Sequence, residues 1–215
     1  PKNSANKRTT ANYQMDLNQQ KGTLRAYYAS VSFVDALVGK VLTALEATGQ
    51  RDDTIVIFTS DHGYHLGEHD LWQKVSIHEE SAKVPLIICV PGKKPAVCHS
   101  LSELIDLYPT VSNLCGLEIP GNLQGKDISC MFDDPSVKVR DAALSSGKGR
   151  LLRTEKWALL DYGKKGELYD MEKDPKQYDN LFGDSNYAET LAELKAKLKA
   201  KLSEIGKNDL NLNKL

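Results

Sequence analysis

The run Thr54-Ile-Val-Ile-Phe-Thr59 restricts the fold most, because it is short, β-branched and apolar on both faces. A strand with no polar face belongs inside a sheet covered on both sides, as parallel strands of α/β proteins are. The residues before it agree. Leu24, Tyr28, Val31, Val34, Val38, Val41, Leu42 and Leu45 recur at three- and four-residue steps, the spacing of an amphipathic helix that ends near Gly49. A helix that turns through Gln50-Arg51-Asp52-Asp53 directly into such a strand is half of a doubly wound α/β unit. Pro85-Leu-Ile-Ile-Cys-Val90 reads as a second buried strand.

The rest of the chain is organised around this unit. Residues 1–23 are rich in Asn, Lys, Thr and Gln and read as irregular. Ser76 and Glu79 have the spacing of a capping box for a short helix, and Asp106 can cap another, with Pro109 in its first turn and Gly116 as its stop. Between Ile119 and Ser136 Pro, Gly and Asp are frequent and periodicity fades, which marks a subdomain boundary. Beyond it Arg150–Thr154, Trp157–Tyr162 and Glu167–Tyr169 predict a small antiparallel sheet. Leu191, Leu194, Leu198, Leu202 and Ile205 predict a final helix, with lysines on its opposite face. The expected division is 1–23 irregular, 24–135 part of an α/β domain, and 136–215 a small α+β subdomain.

Charge excludes one class of function. Lys and Arg total 28 against 29 Asp and Glu, so the net charge is -1 and no broad basic surface exists for nucleic acid. The lysines of 195–201 read as a solvated helix face. No unbroken run of 18 apolar residues is present, so no membrane span is expected, and no apolar leader precedes the first helix. Cys89, Cys98, Cys115 and Cys130 have no metal-like spacing; two bridges are possible but not deducible from it, and free, partly buried thiols are the favoured reading.

Chemistry concentrates in Ser60-Asp61-His62-Gly63-Tyr64-His65-Leu66-Gly67-Glu68-His69-Asp70-Leu71-Trp72-Gln73-Lys74. Asp61 and His62 follow the carboxyl end of the first strand, where open α/β sheets bind ligands. An adjacent carboxylate and imidazole can reach one cation, and Gly63 lets the backbone bend there. The same residues also suit an ordinary turn, so spacing alone leaves both readings open. His65 and His69 stand four apart, but Gly67 between them opposes a helix that would align them on a zinc ion. His78 falls on the short helix and His99 in a loop. Trp72 reads as a packing anchor.

The order of segments is more informative than any one of them. Thr59-Ser60-Asp61-His62-Gly63, Leu66-Gly67-Glu68-His69, Trp72, Lys74 and Val84-Pro85-Leu86-Ile87 resemble the second metal-binding segment of the formylglycine-dependent sulfatases. Tyr27-Tyr28-Ala29-Ser30-Val31-Ser32-Phe33-Val34-Asp35 is similar to the preceding helix of the iduronate-2-sulfatase-like branch. Glu167-Leu168-Tyr169-Asp170, Asp174-Pro175 and Asn180-Leu181 resemble the family's C-terminal signature, with Gln177 where Glu is usual, a change expected to be tolerated on a surface.

The resemblance implies an alkaline-phosphatase-like α/β fold: the latter part of its large sheet domain plus a small C-terminal antiparallel-sheet subdomain. It implies hydrolysis of a sulfate ester, on a sulfated glycan such as a 2-O-sulfated uronic acid, in glycosaminoglycan degradation. Asp61 and His62 match two ligands of a divalent cation, usually calcium, and Lys74 matches the lysine that contacts the sulfate. His69 and Arg153 are weaker candidates for substrate contact. The family's Cys-x-Pro-x-Arg or Ser-x-Pro-x-Arg nucleophile segment does not occur in these residues. Cys89-Val90-Pro91-Gly92-Lys93 ends in Lys and falls at a strand end, so Cys89 reads as structural. The formylglycine and the remaining acidic ligands are expected in a missing N-terminal half of the catalytic domain, and the resemblance implies a periplasmic, secreted or lysosomal parent. Two rivals remain: a phosphoryl-transferring relative such as a phosphonate monoester hydrolase or phosphodiesterase, and a non-catalytic binding module.

Overall fold

The computed structural model describes residues 9–74 and 76–205. They form two compact units, one drawing on residues up to 75 and 80–93, the other on 76–79 and from 94 onward.

The first unit begins with a single turn, α1 (Thr10–Tyr13), followed by the long helix α2 (Leu17–Ala47). α2 starts well ahead of Leu24 because Asp16 accepts the Gln19 N–H at 2.8 Å while the Gln19 side chain accepts the Asp16 N–H at 2.9 Å, a reciprocal cap. Part of the stretch expected to be irregular is therefore helical; residues 1–8 lie outside the described residues. Leu17, Tyr28, Val31, Phe33, Val34, Leu37 and Val41 of α2 are exposed. The expectation of no membrane span rested on the lack of an unbroken apolar run; by length and mean hydropathy α2 could nevertheless cross a membrane.

β1 (Val56–Thr59) pairs with β4 (Leu86–Cys89) antiparallel, with Ile57 opposite Ile88 and Phe58 opposite Ile87. This corrects the parallel pairing expected from the apolar run. An apolar run reports burial on two faces and carries no strand direction. Nor are the strands buried among the described residues, where Phe58 is 41% and Ile87 55% exposed. Between them a tight hairpin pairs β2 (His65–Leu66) with β3 (Trp72–Gln73). Trp72 is buried and donates its indole N–H to Thr10 Oγ1 at 2.8 Å, which anchors the hairpin to α1.

The second unit is built on a four-stranded antiparallel sheet in sequential order: β5 (Ala143–Ser146), β6 (Arg150–Arg153), β7 (Trp157–Asp161) and β8 (Gly166–Asp170). Its register places Leu144, Leu152, Leu159 and Leu168 in one cross-strand row. That row packs on Leu194 and Leu198 of the last helix, α5 (Ala188–Ile205), with Ala142 completing the core. The predicted leucine stripe is the docking face, except that Ile205 is exposed. Lys197 and Lys201, from the polar side of α5, bind Asp141 at 2.6 and 3.2 Å. The hydrogen bond from Lys197, opposed by slight burial and aided by Lys201, holds the Asp141 carboxyl down at about 2.

Ahead of this sheet, α4 (Leu107–Leu114) ends as expected at Cys115 and Gly116. Asp106 stands at its N-cap but does not cap it. The fully buried carboxylate instead accepts from Glu103 N, Lys126 N and the Arg140 guanidinium, and Arg140 also bridges Glu103. The four cysteines are free as expected, but all are exposed rather than partly buried.

Candidate functional site

The Asp61–Lys74 stretch folds as a turn leaving β1 and a hairpin returning to Lys74. Gly63 is required here for a reason the sequence did not suggest. Its φ is not positive; instead its backbone lies so close to the 80–81 backbone that a Cβ would collide with the Glu80 carbonyl oxygen. Gly63 N donates to Ser81 O at 2.9 Å, which fixes the turn to the one-turn helix α3 (Glu79–Ala82). Tyr64 packs on Tyr27 of α2, with ring centroids 5.1 Å apart.

Three of the predicted side chains come together on this turn. Asp61 is strongly exposed, its side chain 83% accessible, and one carboxylate oxygen accepts from His62 N at 2.9 Å. The other stands 3.4 Å from His62 Nε2. Lys74 Nζ lies 3.0 Å from the same Nε2. His62 Nδ1 faces Gly63 O at 2.9 Å. A carbonyl can only accept and an ammonium can only donate, so the Nδ1 position carries the proton and Nε2 presents its lone pair. Nε2 and Asp61 Oδ2 are thus two acceptors 3.4 Å apart, with the Lys74 ammonium against the Nε2 lone pair.

Such a pair suits a divalent cation as a partial donor set. One carboxylate oxygen and one imidazole nitrogen fall short of a full shell, and among the described residues no group of three or more His, Cys, Asp or Glu side chains could hold a metal ion alone.

The weaker candidates lie elsewhere. His69 is turned inward, its Nε2 3.3 Å from Glu80 Oε2, and its ring is edge-on to that of buried His65. Gly67, at φ +119°, breaks the segment between them as expected. Burial pushes the Glu80 carboxyl up, but the hydrogen bond from His69, its own backbone N–H and the two imidazoles outweigh this and hold it below the usual range. Arg153 sits on β6 and spends its guanidinium on Glu79 Oε1 at 3.0 Å and on the Thr154 and Glu155 carbonyls.

Sequence reasoning missed a buried polar cluster in the second unit. His78 precedes α3 rather than lying on it, and its Nε2 meets Glu167 Oε2 at 2.9 Å. Tyr169 OH donates to the same oxygen at 2.7 Å. Burial raises the Glu167 carboxyl, but hydrogen bonds from His78 and Tyr169 more than offset it and leave it below its ordinary value. Burial and the neighbouring Glu167 push the Tyr169 hydroxyl well above its own. Ser76 accepts from His78 N at 3.0 Å, while Glu79 N donates to Gln177 Oε1 at 2.8 Å. Gln177 is thus 1% exposed, with φ +60°, and not the surface residue expected. A polar residue with one amide to satisfy carries no periodicity, so only the resemblance marked the position.

The family model described as Sulfatase matches residues 3–117, and that described as N-sulphoglucosamine sulphohydrolase, C-terminal, matches residues 67–204. The chain is 30% identical over 204 residues to an N-acetylglucosamine-6-O-sulfatase of Bacteroides thetaiotaomicron, covering 86% of this chain and 37% of that protein. A structure solved with its substrate D-glucosamine-2-N,6-O-disulfate is similar at TM-score 0.78 and 30% identity, over 89% of this chain and 42% of that one. A 2-O GAG sulfatase is similar at TM-score 0.80 and 28% identity, over 93% and 46%. A phosphonate monoester hydrolase of Agrobacterium radiobacter is similar at TM-score 0.75 and 25% identity, over 86% and 42%. The chain spans less than half the length of each.

Proposed function

The chain belongs to the sulfatase family and has its alkaline-phosphatase-like fold, and from that premise we propose that the protein it forms part of hydrolyses a sulfate ester on a sulfated glycan. The observation that carries this reading is the meeting of Asp61 Oδ2, His62 Nε2 and Lys74 Nζ within 3.4 Å steps around one imidazole nitrogen. Asp61 and His62 hold the cation, proposed as calcium, together with oxygen ligands outside these residues. That cation supplies Lewis-acid neutralisation of the sulfate oxygens. The Lys74 ammonium contributes a second positive charge, and Gly63 O holds the His62 tautomer that gives Nε2 a lone pair, now facing Lys74 Nζ at 3.0 Å, which a cation would take in place of the ammonium. The nucleophile, proposed as formylglycine, is also assigned to residues outside this chain.

Relatives that are an N-acetylglucosamine-6-O-sulfatase and a 2-O GAG sulfatase support a carbohydrate substrate, and the likeness of Tyr27–Asp35 to the iduronate-2-sulfatase-like branch supports a 2-O-sulfated uronic acid. His69 and Arg153 gain less support as substrate contacts, since their polar groups are already spent on Glu80 and Glu79. The exposed apolar residues of α2, with Phe58 and Ile87 of β1 and β4, are proposed to be covered by the remaining, N-terminal part of the catalytic domain. The subdomain limits near 135 stay part of the same proposal.

The test uses the full-length protein and its Asp61→Asn variant with a chromogenic aryl sulfate, an aryl phosphonate and sulfated disaccharides. Turnover of sulfate should exceed that of phosphonate, and Asp61→Asn should reduce it by roughly a hundred-fold or more. Preference for the phosphonate would favour the phosphoryl-transferring reading instead.

A further inference from the structure

The hairpin that leads to Lys74 is bent by its own backbone. Gly67 takes φ +119°, and three residues that are not glycine follow it into the left-handed region: His69 at +56°, Asp70 at +58° and Gln73 at +68°. A residue with a Cβ occupies that region at a cost, and a fold keeps it there where surrounding contacts hold the shape. The contacts holding this hairpin are specific. Leu66 N donates to Glu68 Oε2 at 2.6 Å, and Gly67 N donates to Leu71 O at 2.9 Å. At the tip His69 Nε2 meets Glu80 Oε2 at 3.3 Å, and neither atom reaches solvent. Buried His65 of β2 lies edge-on to the His69 ring, with centroids 6.0 Å apart. All of these residues belong to the first unit. A hairpin tip that merely reverses the chain needs no sealed carboxylate from another element.

The other side of Glu80 gives this tie its consequence. While its carboxylate meets the hairpin tip, its carbonyl lies against Gly63 so closely that a Cβ there would collide, and the next residue, Ser81, accepts Gly63 N at 2.9 Å. The contacts therefore close a circuit within the first unit. The Asp61-His62-Gly63 turn runs through Tyr64 into β2, and β2 pairs with β3, where Gln73 stands opposite His65 and directly precedes Lys74. From the tip of the same hairpin, His69 returns through Glu80 to Gly63. We infer that His69 and Glu80 are positioning residues for the proposed sulfate site: their tie fixes the hairpin that presents Lys74 against the turn that presents Asp61 and His62. The inference rests on the sulfatase reading for its catalytic consequence, though not for the tie itself. It gives His69 a role that needs no contact with substrate. The leverage is ample, since a misplacement of about 1 Å in a preorganised site can cost on the order of a hundred-fold in rate.

The experiment compares His69→Ala, Glu80→Ala, the two combined and Glu80→Gln in the full-length protein. Either alanine removes the tie; glutamine keeps an oxygen that can accept from His69. Amide hydrogen exchange at Gly63 should quicken about ten-fold or more in each alanine variant and recover most of the way in Glu80→Gln. With an aryl sulfate, kcat per folded molecule should fall about ten-fold in each alanine variant while KM moves less than about two-fold. The double variant should lose no more than about two-fold beyond either single, because both substitutions cut one tie. Should the alanine variants fail to fold, Glu80→Asp, which draws the carboxylate back by a methylene, carries the same readouts. Unchanged exchange at Gly63 in a folded variant, or losses that multiply in the double variant, would overturn the positioning role. A rise in KM confined to His69→Ala would overturn it too and return His69 to the substrate. A parent that turns over no sulfate while exchange at Gly63 still responds would instead sink the proposed function and leave the tie standing.

Discussion

At the scale of single residues, two side chains of similar polarity have opposite fates. Lys74 is close to His62 Nε2 at the exposed end of a hairpin, where an ammonium adds little to the fold and much to an anion site. Lys74→Ala in the full-length enzyme should therefore lower turnover far more than the melting temperature; equal activity in variant and parent would contradict the assigned role. Gln177 is the reverse. Its carboxamide oxygen takes the Glu79 N–H inside the protein. Gln177→Leu would strand that donor, and a lost buried partner costs about 1–3 kcal/mol. A denaturant midpoint unchanged by the substitution would show that the bond contributes nothing.

Among the elements, β8 is the one whose charge matters most. Leu168 faces the core row while Glu167 and Tyr169 turn to the opposite face and meet His78. A carboxyl held below its ordinary value in the folded state stabilises the fold fully above the unfolded value, near 4.3. That contribution is lost as the pH falls through the lower, folded value. Thermal stability should accordingly decline below about pH 4, and Glu167→Gln should lower the neutral plateau while leaving stability at the acid end nearly unchanged, so that the acid limb flattens. Parallel acid limbs in the two proteins would assign the decline to other carboxylates, Asp141 with its value of about 2 and Glu80 among them.

For the whole molecule, the second unit closes its own core between sheet and α5, whereas the first leaves apolar residues of α2, β1 and β4 exposed. Surfaces of this kind drive association when nothing covers them. The 215-residue chain produced by itself should therefore self-associate, and with added calcium it should show no hydrolysis of a chromogenic sulfate. Light scattering and a contaminant-free activity assay check both expectations. Metal-dependent turnover by the isolated chain would place the nucleophile within these residues and reverse the proposed division of labour.

Local pattern alone determined a good deal of this. The leucine stripe of α5, the strands β6–β8, and the Asp61-His62-Gly63 turn after a strand are all written in near-neighbour spacing, where period and turn chemistry suffice. The family followed from the order of several such segments. The start of α2 was also legible, in Asp16 and Gln19, though the polar composition around them masked it. The antiparallel pairing of β1 with β4 was not legible, because an apolar run carries no strand direction. Nor were the close approach that demands Gly63, the recruitment of Asp106 by Arg140, or the burial of Gln177 and His78 beside β8. Each depends on a partner distant in the chain, from 17 residues for Gly63 to 98 for Gln177, and a hydrogen bond or backbone contact of that span leaves no periodic trace in a sequence. Only folding brings its two ends together.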